Sequence, residues 1–209
     1  MIDYSGKAMR LTLAIGCASV AATAGHLDAG QDLSGFYVST DAGLNLTSKL
    51  HAPTVSVSSH PGVRGDVLAG YAWALGQEWS IAAELETGLL YNSLSTATSR
   101  GQSVAVGGTL ADVPLLAHAV LRWQFHPHWI AYAGAGAGGA FSSLHISSAP
   151  ANYGLNGIQS NVAWQAMAGV RYQFGSNEIG LGFEHFTFYR SGLQSIGNNT
   201  ILASYTFCF

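Results

Sequence analysis

Charge is scarce in this 209-residue chain, of which only 9% is Asp, Glu, Lys or Arg. Lys and Arg are too few and too scattered to track a phosphate backbone, which excludes a nucleic-acid binder. Cysteine is nearly absent, with Cys17 and Cys208 alone. Once the first leaves with a leader, no intrachain disulfide can form even in an oxidising compartment. Long apolar runs are missing too. Although 48% of residues are hydrophobic, no continuous stretch after Ala24 could form a membrane helix. The apolar residues are dispersed instead, and a helical membrane protein is excluded.

What is present begins with a leader. Lys7 and Arg10 precede an uncharged run from Leu11 to Ala24, and Ala22-Thr23-Ala24 has the small-x-small form of a cleavage site. Residues 1–24 are expected to be a secretory signal peptide and residues 25–209 the mature domain. Asp3 is out of place in a positive n-region and points to Met9 as an alternative start. Ile15-Gly16-Cys17 is partly lipobox-like, but Ala14 stands where a larger aliphatic is favoured, so lipidation is not expected. The remaining stretch of about 185 residues suits one domain. Setting aside Asp3, Lys7 and Arg10, six basic residues face ten acidic ones, a formal charge near −4.

The mature chain alternates. Val113, Leu115, Ala117, Ala119, Leu121, Trp123 and Phe125 stand against Asp112, His118, Arg122 and Gln124. Val162, Trp164, Ala166, Ala168, Val170, Tyr172 and Phe174 stand against Asn161, Gln165, Arg171 and Gln173. This is the period of half-buried strands, not helices. Similar segments run over about Gly35–Leu46, Arg64–Leu75, Trp79–Tyr91 and from Ile179 to Arg190, and the last covers Ile201–Phe209. With the Gly- and Ala-rich stretch Trp129–Phe141 they make eight strands, an even number that lets an antiparallel sheet close on itself. Short turns at Gly76-Gln77-Glu78, His126-Pro127-His128 and Gly175-Ser176-Asn177 alternate with long polar stretches, 47–62, 92–108, 142–159 and 191–199. Trp73, Trp79, Trp123, Trp129, Tyr132, Tyr172 and Phe174 gather at the short-turn end like an interfacial girdle. The expected fold is all-β: an eight-stranded antiparallel transmembrane up-and-down β-barrel.

The chain resembles the outer-membrane protein A-like barrels, a family that includes porin-like and opacity-type proteins. Asp112-Val113-Pro114-Leu115-Leu116, Ala166-Met167-Ala168-Gly169-Val170-Arg171-Tyr172 and the terminal Phe209 carry that likeness. It implies a Gram-negative outer membrane with both termini periplasmic, and contact with outer-membrane lipid and lipopolysaccharide. Tyr205, Phe207 and Phe209 would then be the assembly signal read by the barrel-assembly machinery, with periplasmic chaperones upstream. No nucleic acid and no cofactor are expected.

Strand charges fall on the face opposite the apolar one: Asp41, Asp66, Glu84, Glu86, Asp112, Arg122, Arg171, Glu184 and Arg190. On a lipid face each would cost about 2–4 kcal/mol at the midplane, so they are assigned to the lumen as a charge network. Depth counted from the turns pairs Arg122 and Arg171 with Glu84, Glu86 and Glu184. An interior of eight strands is filled by side chains, so open diffusion is not expected.

Fragments of chemistry are thin. Gly134-Ala135-Gly136-Ala137-Gly138-Gly139 matches the dinucleotide fingerprint in form, but no helix is expected after it and no Asp or Glu occurs between Asp112 and Glu178. His126 and His128 at one turn, and His51 and His60 in the first long loop, lack the further ligands that close a metal site. His145-Ile146-Ser147 is the one enzyme-like fragment. Outer-membrane lipid A 3-O-deacylases are similar eight-stranded barrels with a His-x-Ser pair near the outer leaflet and a downstream Glu. Here no carboxylate lies between Ser147 and Gln159. The expectation is therefore a non-enzymatic barrel with a structural, narrow-pore or surface-binding role, its loops meeting an extracellular ligand. Two rivals are a lipid A deacylase-like hydrolase using His145 and Ser147, and a soluble lipocalin-like carrier, which outward girdles oppose.

Overall fold

Alternation along the chain becomes antiparallel pairing in the computed structural model, which describes residues 33–51, 55–146, 157–189 and 195–209. The strands are β1 (Gly35–Thr47), β2 (Leu50–His51), β3 (Ser56–Ser59), β4 (Gly62–Ala74), β5 (Trp79–Ser99) and β6 (Gln102–Ala105). They continue as β7 (Gly108–His126), β8 (Trp129–Ile146), β9 (Gly157–Phe174), β10 (Asn177–Phe188) and β11 (Ile196–Cys208). Strands β1, β4, β5, β7, β8, β9, β10 and β11 pair in sequence, and β1 pairs β11 to close the ring. The fold is thus an eight-stranded antiparallel barrel. Closure leaves no sheet edge to face hydrocarbon, where an unpaired backbone group costs several kcal/mol. The short β3 and β6 pair with the far end of β5, beyond the ring.

Large apolar side chains cover the outside: Leu44, Val67, Leu85, Leu115, Val162, Leu181 and Ile201 are all exposed. At the short-turn end, Trp79 stacks on Trp123 at 5.6 Å and Trp129 meets Tyr172 edge-on at 5.2 Å. Tyr132, expected in that girdle, points inward instead, buried beneath the Arg171 guanidinium at 4.6 Å. Its strand neighbours Ala131 and Ala133 hold the outward positions, and parity decides the matter.

The strands run further toward the long-loop end than the periodicity indicates. Strand β5 continues to Ser99 and β8 to Ile146, while β9 begins at Gly157 and β11 at Ile196. Polar residues such as Asn92 and Asn198 turn inward there and blur the alternation, yet ladder pairing needs only the backbone. Inside this end lies an apolar plug of Leu50, Leu90, Leu110, Leu144, Phe186, Phe188 and Ile196.

Candidate functional site

On β10 the outward positions read Ile179, Leu181 and Phe183, then change to His185 and Thr187. On β11 they read Tyr205, Ala203 and Ile201, then Asn199 and Gly197. Both neighbouring strands thus turn polar at one height on the lipid-facing wall. A transmembrane strand uses about 9–11 residues. His185 and Thr187 are the ninth and eleventh residues of β10 counted from the short-turn end, which puts the change at the far membrane boundary.

The register brings these residues together in two lateral rows. His185 lies opposite Asn199 on β11 and Ala166 on β9; Thr187 lies opposite Gly197 and Trp164. Thr187 Oγ1 is 3.1 Å from His185 Nε2, and His185 Nδ1 is 2.8 Å from Asn199 Oδ1. With the amide oxygen facing the ring, Nδ1–H donates to it and the Nε2 lone pair is left for the Thr187 hydroxyl. Nucleophile, base and orienting group are therefore linked in series, the arrangement that activates a hydroxyl for acyl transfer. The Trp164 ring sits 5.3 Å from the imidazole and shields one side of the site. Thr187 is only 7% exposed, whereas His185 and Asn199 are half-buried.

The sequence fragment His145-Ile146-Ser147 does not form such a site in the described residues. His145, the last residue but one of β8, lies opposite Thr109 and is exposed, and Ser147 lies outside the described residues. His185-Phe186-Thr187 has the same spacing with threonine in place of serine. The signal was a His-x-Thr spacing on one strand face, with Asn199 at the matching level of the next strand.

The inward charges lie within the barrel, in an arrangement different from the pairing read by depth. Arg64, omitted from the expected network, is its hub: Nε meets Asp66 at 2.6 Å, one terminal nitrogen Glu86 at 2.5 Å, and the other Glu184 at 2.8 Å. Gln165 bridges Arg64 and Glu86. Arg122 and Arg171 both meet Glu178, the latter at 3.4 Å. Glu84 accepts from the Tyr37 hydroxyl at 2.5 Å, and Asp41 from Ser39 at 2.7 Å. Asp112 is buried, and Arg190 lies outside the described residues. Depth counted along strands ignores the stagger that closing a barrel imposes on its neighbours, and partners shift accordingly.

Asp66, Glu86 and Glu184 come close enough to suggest a cation site, but the Arg64 fork already occupies their centre. The Gly134–Gly139 segment is the middle of strand β8, with no helix following. Of the terminal aromatics, Tyr205 faces outward and donates to Asn177 Oδ1 at 2.7 Å, and Phe207 packs edge-on against Phe209 at 4.9 Å.

The family profile described as lipid A 3-O-deacylase (PagL) matches residues 64–187, a span that ends on Thr187. Among solved structures, Neisserial surface protein A (NspA) superposes with a TM-score of 0.55 at 16% identity, covering 84% of this chain and 98% of that one. That likeness shows the fold. The outer-membrane enzyme PagL gives a TM-score of 0.47 at 14% identity, over 83% of this chain and 99% of its own. Ail of Yersinia pestis gives 0.46 at 14% identity, over 83% and 99%. No curated protein matches by sequence. The match to a hydrolase family overturns the expectation of a non-enzymatic structural, narrow-pore or surface-binding barrel. No carboxylate follows His145 before Gln159, whereas the lipid-facing wall of β10 carries a His-x-Thr pair.

Proposed function

Because the chain belongs to the lipid A 3-O-deacylase (PagL) family, we propose that it is an esterase that removes an ester-linked acyl chain from lipid A-type glycolipid. The observation that carries this reading is the hydrogen-bonded series Thr187–His185–Asn199 on the lipid-facing wall. The protein sits in the outer membrane in contact with its lipid and lipopolysaccharide, so the substrate needs no entry channel. It diffuses laterally to the wall.

Thr187 Oγ1 attacks the ester carbonyl while His185 Nε2 takes the hydroxyl proton. The tetrahedral adduct collapses, the acyl carbon–oxygen bond to the sugar breaks, and His185 returns the proton to the leaving alkoxide. Water, deprotonated by the same imidazole, then attacks the acyl-threonine, releases the fatty acid and restores the Thr187 hydroxyl. Asn199 holds the productive tautomer throughout but, being neutral, lends no charge to the imidazolium. The β-branched Thr187 has few χ1 rotamers, which favours the orientation toward His185.

Chemistry at the outer leaflet requires the long-loop end to face outward and both termini the periplasm. In the same scheme residues 1–24 are removed as a leader, and Tyr205, Phe207 and Phe209 are read by the barrel-assembly machinery after chaperone delivery. The test is the purified barrel in lipopolysaccharide-containing vesicles. Mass spectrometry should find lipid A lacking one acyl chain, with free fatty acid released, and neither product with Thr187→Ala. Intact lipid A after incubation with the unaltered protein would refute the proposal.

A further inference from the structure

The upper of the two rows extends one strand further. By the β1–β11 register Thr47 lies opposite Asn198, so Ser48 follows opposite Gly197. In an ordinary hydrogen-bonded pair two residues exchange both backbone bonds. Here Ser48 N–H donates to Gly197 O at 2.7 Å, but Gly197 N–H donates to the Ser48 hydroxyl oxygen, at 3.0 Å. The hydroxyl is thereby fixed at the wall, on the same side as Thr187. In that bond Oγ only accepts, which leaves its own proton for donation.

Gly197 between them has no side chain, and the gap it leaves has a definite size. A Cβ there would lie 3.5 Å from His185 Cε1, 3.7 Å from Ser48 Oγ and 3.8 Å from Thr187 Oγ1. Attack needs a carbonyl carbon about 3–3.5 Å from the nucleophile, with its oxygen about 2.8 Å from a donor. A carbonyl group resting against the Gly197 Cα, farther out than that Cβ, would lie between the Thr187 and Ser48 hydroxyls.

Resting on the esterase reading, we infer that Ser48 is the oxyanion donor of this site and that Gly197 is the floor on which the scissile carbonyl lies. When Thr187 attacks, negative charge grows on the carbonyl oxygen, and Ser48 Oγ–H donates to it. A second group thus acts only on the transition state, as a donor aimed at developing charge does. The side chain comes from the residue that follows β1, remote in sequence from β10 and β11, so the catalytic group is complete only in the closed barrel.

The experiment uses the whole barrel in lipopolysaccharide vesicles, with two readouts: acyl release, and labelling of Thr187 by a long-chain alkyl fluorophosphonate. In the second, the Thr187 Oγ–P bond forms, P–F breaks and fluoride leaves. Ser48→Ala should lower kcat by about 10²- to 10³-fold with KM little changed, and slow labelling in parallel. Ser48→Thr, which keeps the hydroxyl, should recover most of both. Gly197→Ala, whose methyl meets only ordinary contacts, should fold with normal heat-modifiable mobility yet lose both. Wild-type kcat and labelling in Ser48→Ala, in a protein that Thr187→Ala silences, would overturn the oxyanion role and leave the esterase standing. Acyl release that survives Thr187→Ala would instead overturn the esterase site itself, and the Ser48 role with it.

Discussion

His185 and Asn199 face each other across the β10–β11 ladder, Nδ1 to Oδ1 at 2.8 Å, so a neutral amide holds the imidazole in place. An amide oxygen fixes the tautomer as well as a carboxylate does. It does not stabilise the positive ring that forms during attack.

This difference gives the first prediction. Asn199→Glu should raise kcat for acyl release by tenfold or more, in an order-of-magnitude estimate from carboxylate-for-amide exchange at such sites. Asn199→Leu, which removes the orienting bond, should lower it by about 10²- to 10⁴-fold. Rates from initial fatty-acid release decide it. Equal rates in all three proteins would show that position 199 does not control the base.

The second prediction separates the two histidine sites. His185→Ala should abolish acyl release, and Thr187→Ser should retain or increase it, because a primary hydroxyl attacks with less crowding. His145→Ala should leave it unchanged, since His145 is exposed near the end of β8. Loss of activity in His145→Ala, with His185→Ala unaffected, would return the chemistry to the β8 loop.

How much of this was legible in the sequence differs by residue. Period-2 runs such as Val113 to Phe125 specify strand and face together, because side-chain direction alternates strictly. The barrel could therefore be read, and with it the inward parity of Glu86 and Arg171. Which inward charges touch could not be read, since stagger between strands sets height; Arg64 reaching Glu184 depends on it. The site was hidden for a related reason. Thr187 and His185 lie on β10, Asn199 and Gly197 on β11, and Ser48 just past β1, and register alone makes them neighbours. Read singly, each is a polar residue near a strand end.

A third prediction concerns orientation. A tag inserted at Gly101, in the turn beyond β5, should bind antibody on intact cells, as should one at Ser195. Tags at Gln77 or Ser176, in the short turns, should bind only after permeabilisation. The reverse pattern would put Thr187 at the periplasmic leaflet and remove its substrate.

The last prediction isolates the lumen from the site. Arg64 is buried, and its fork is shared by Asp66, Glu86 and Glu184. Removing one member of a buried ionic group strands the others, typically at a cost of about 3–5 kcal/mol. Arg64→Met should thus lower the denaturation midpoint of the detergent-solubilised barrel sharply, as followed by heat-modifiable gel mobility. Arg100→Met, at an exposed loop turn, should not. Where the Arg64→Met barrel still folds, its kcat should stay close to wild type, because Glu184 faces inward while the adjacent His185 faces lipid. A midpoint equal to that of the unaltered protein would mean that the three carboxylates find compensation without Arg64. A folded variant with no activity would mean that the inner network sets the geometry of the outer wall.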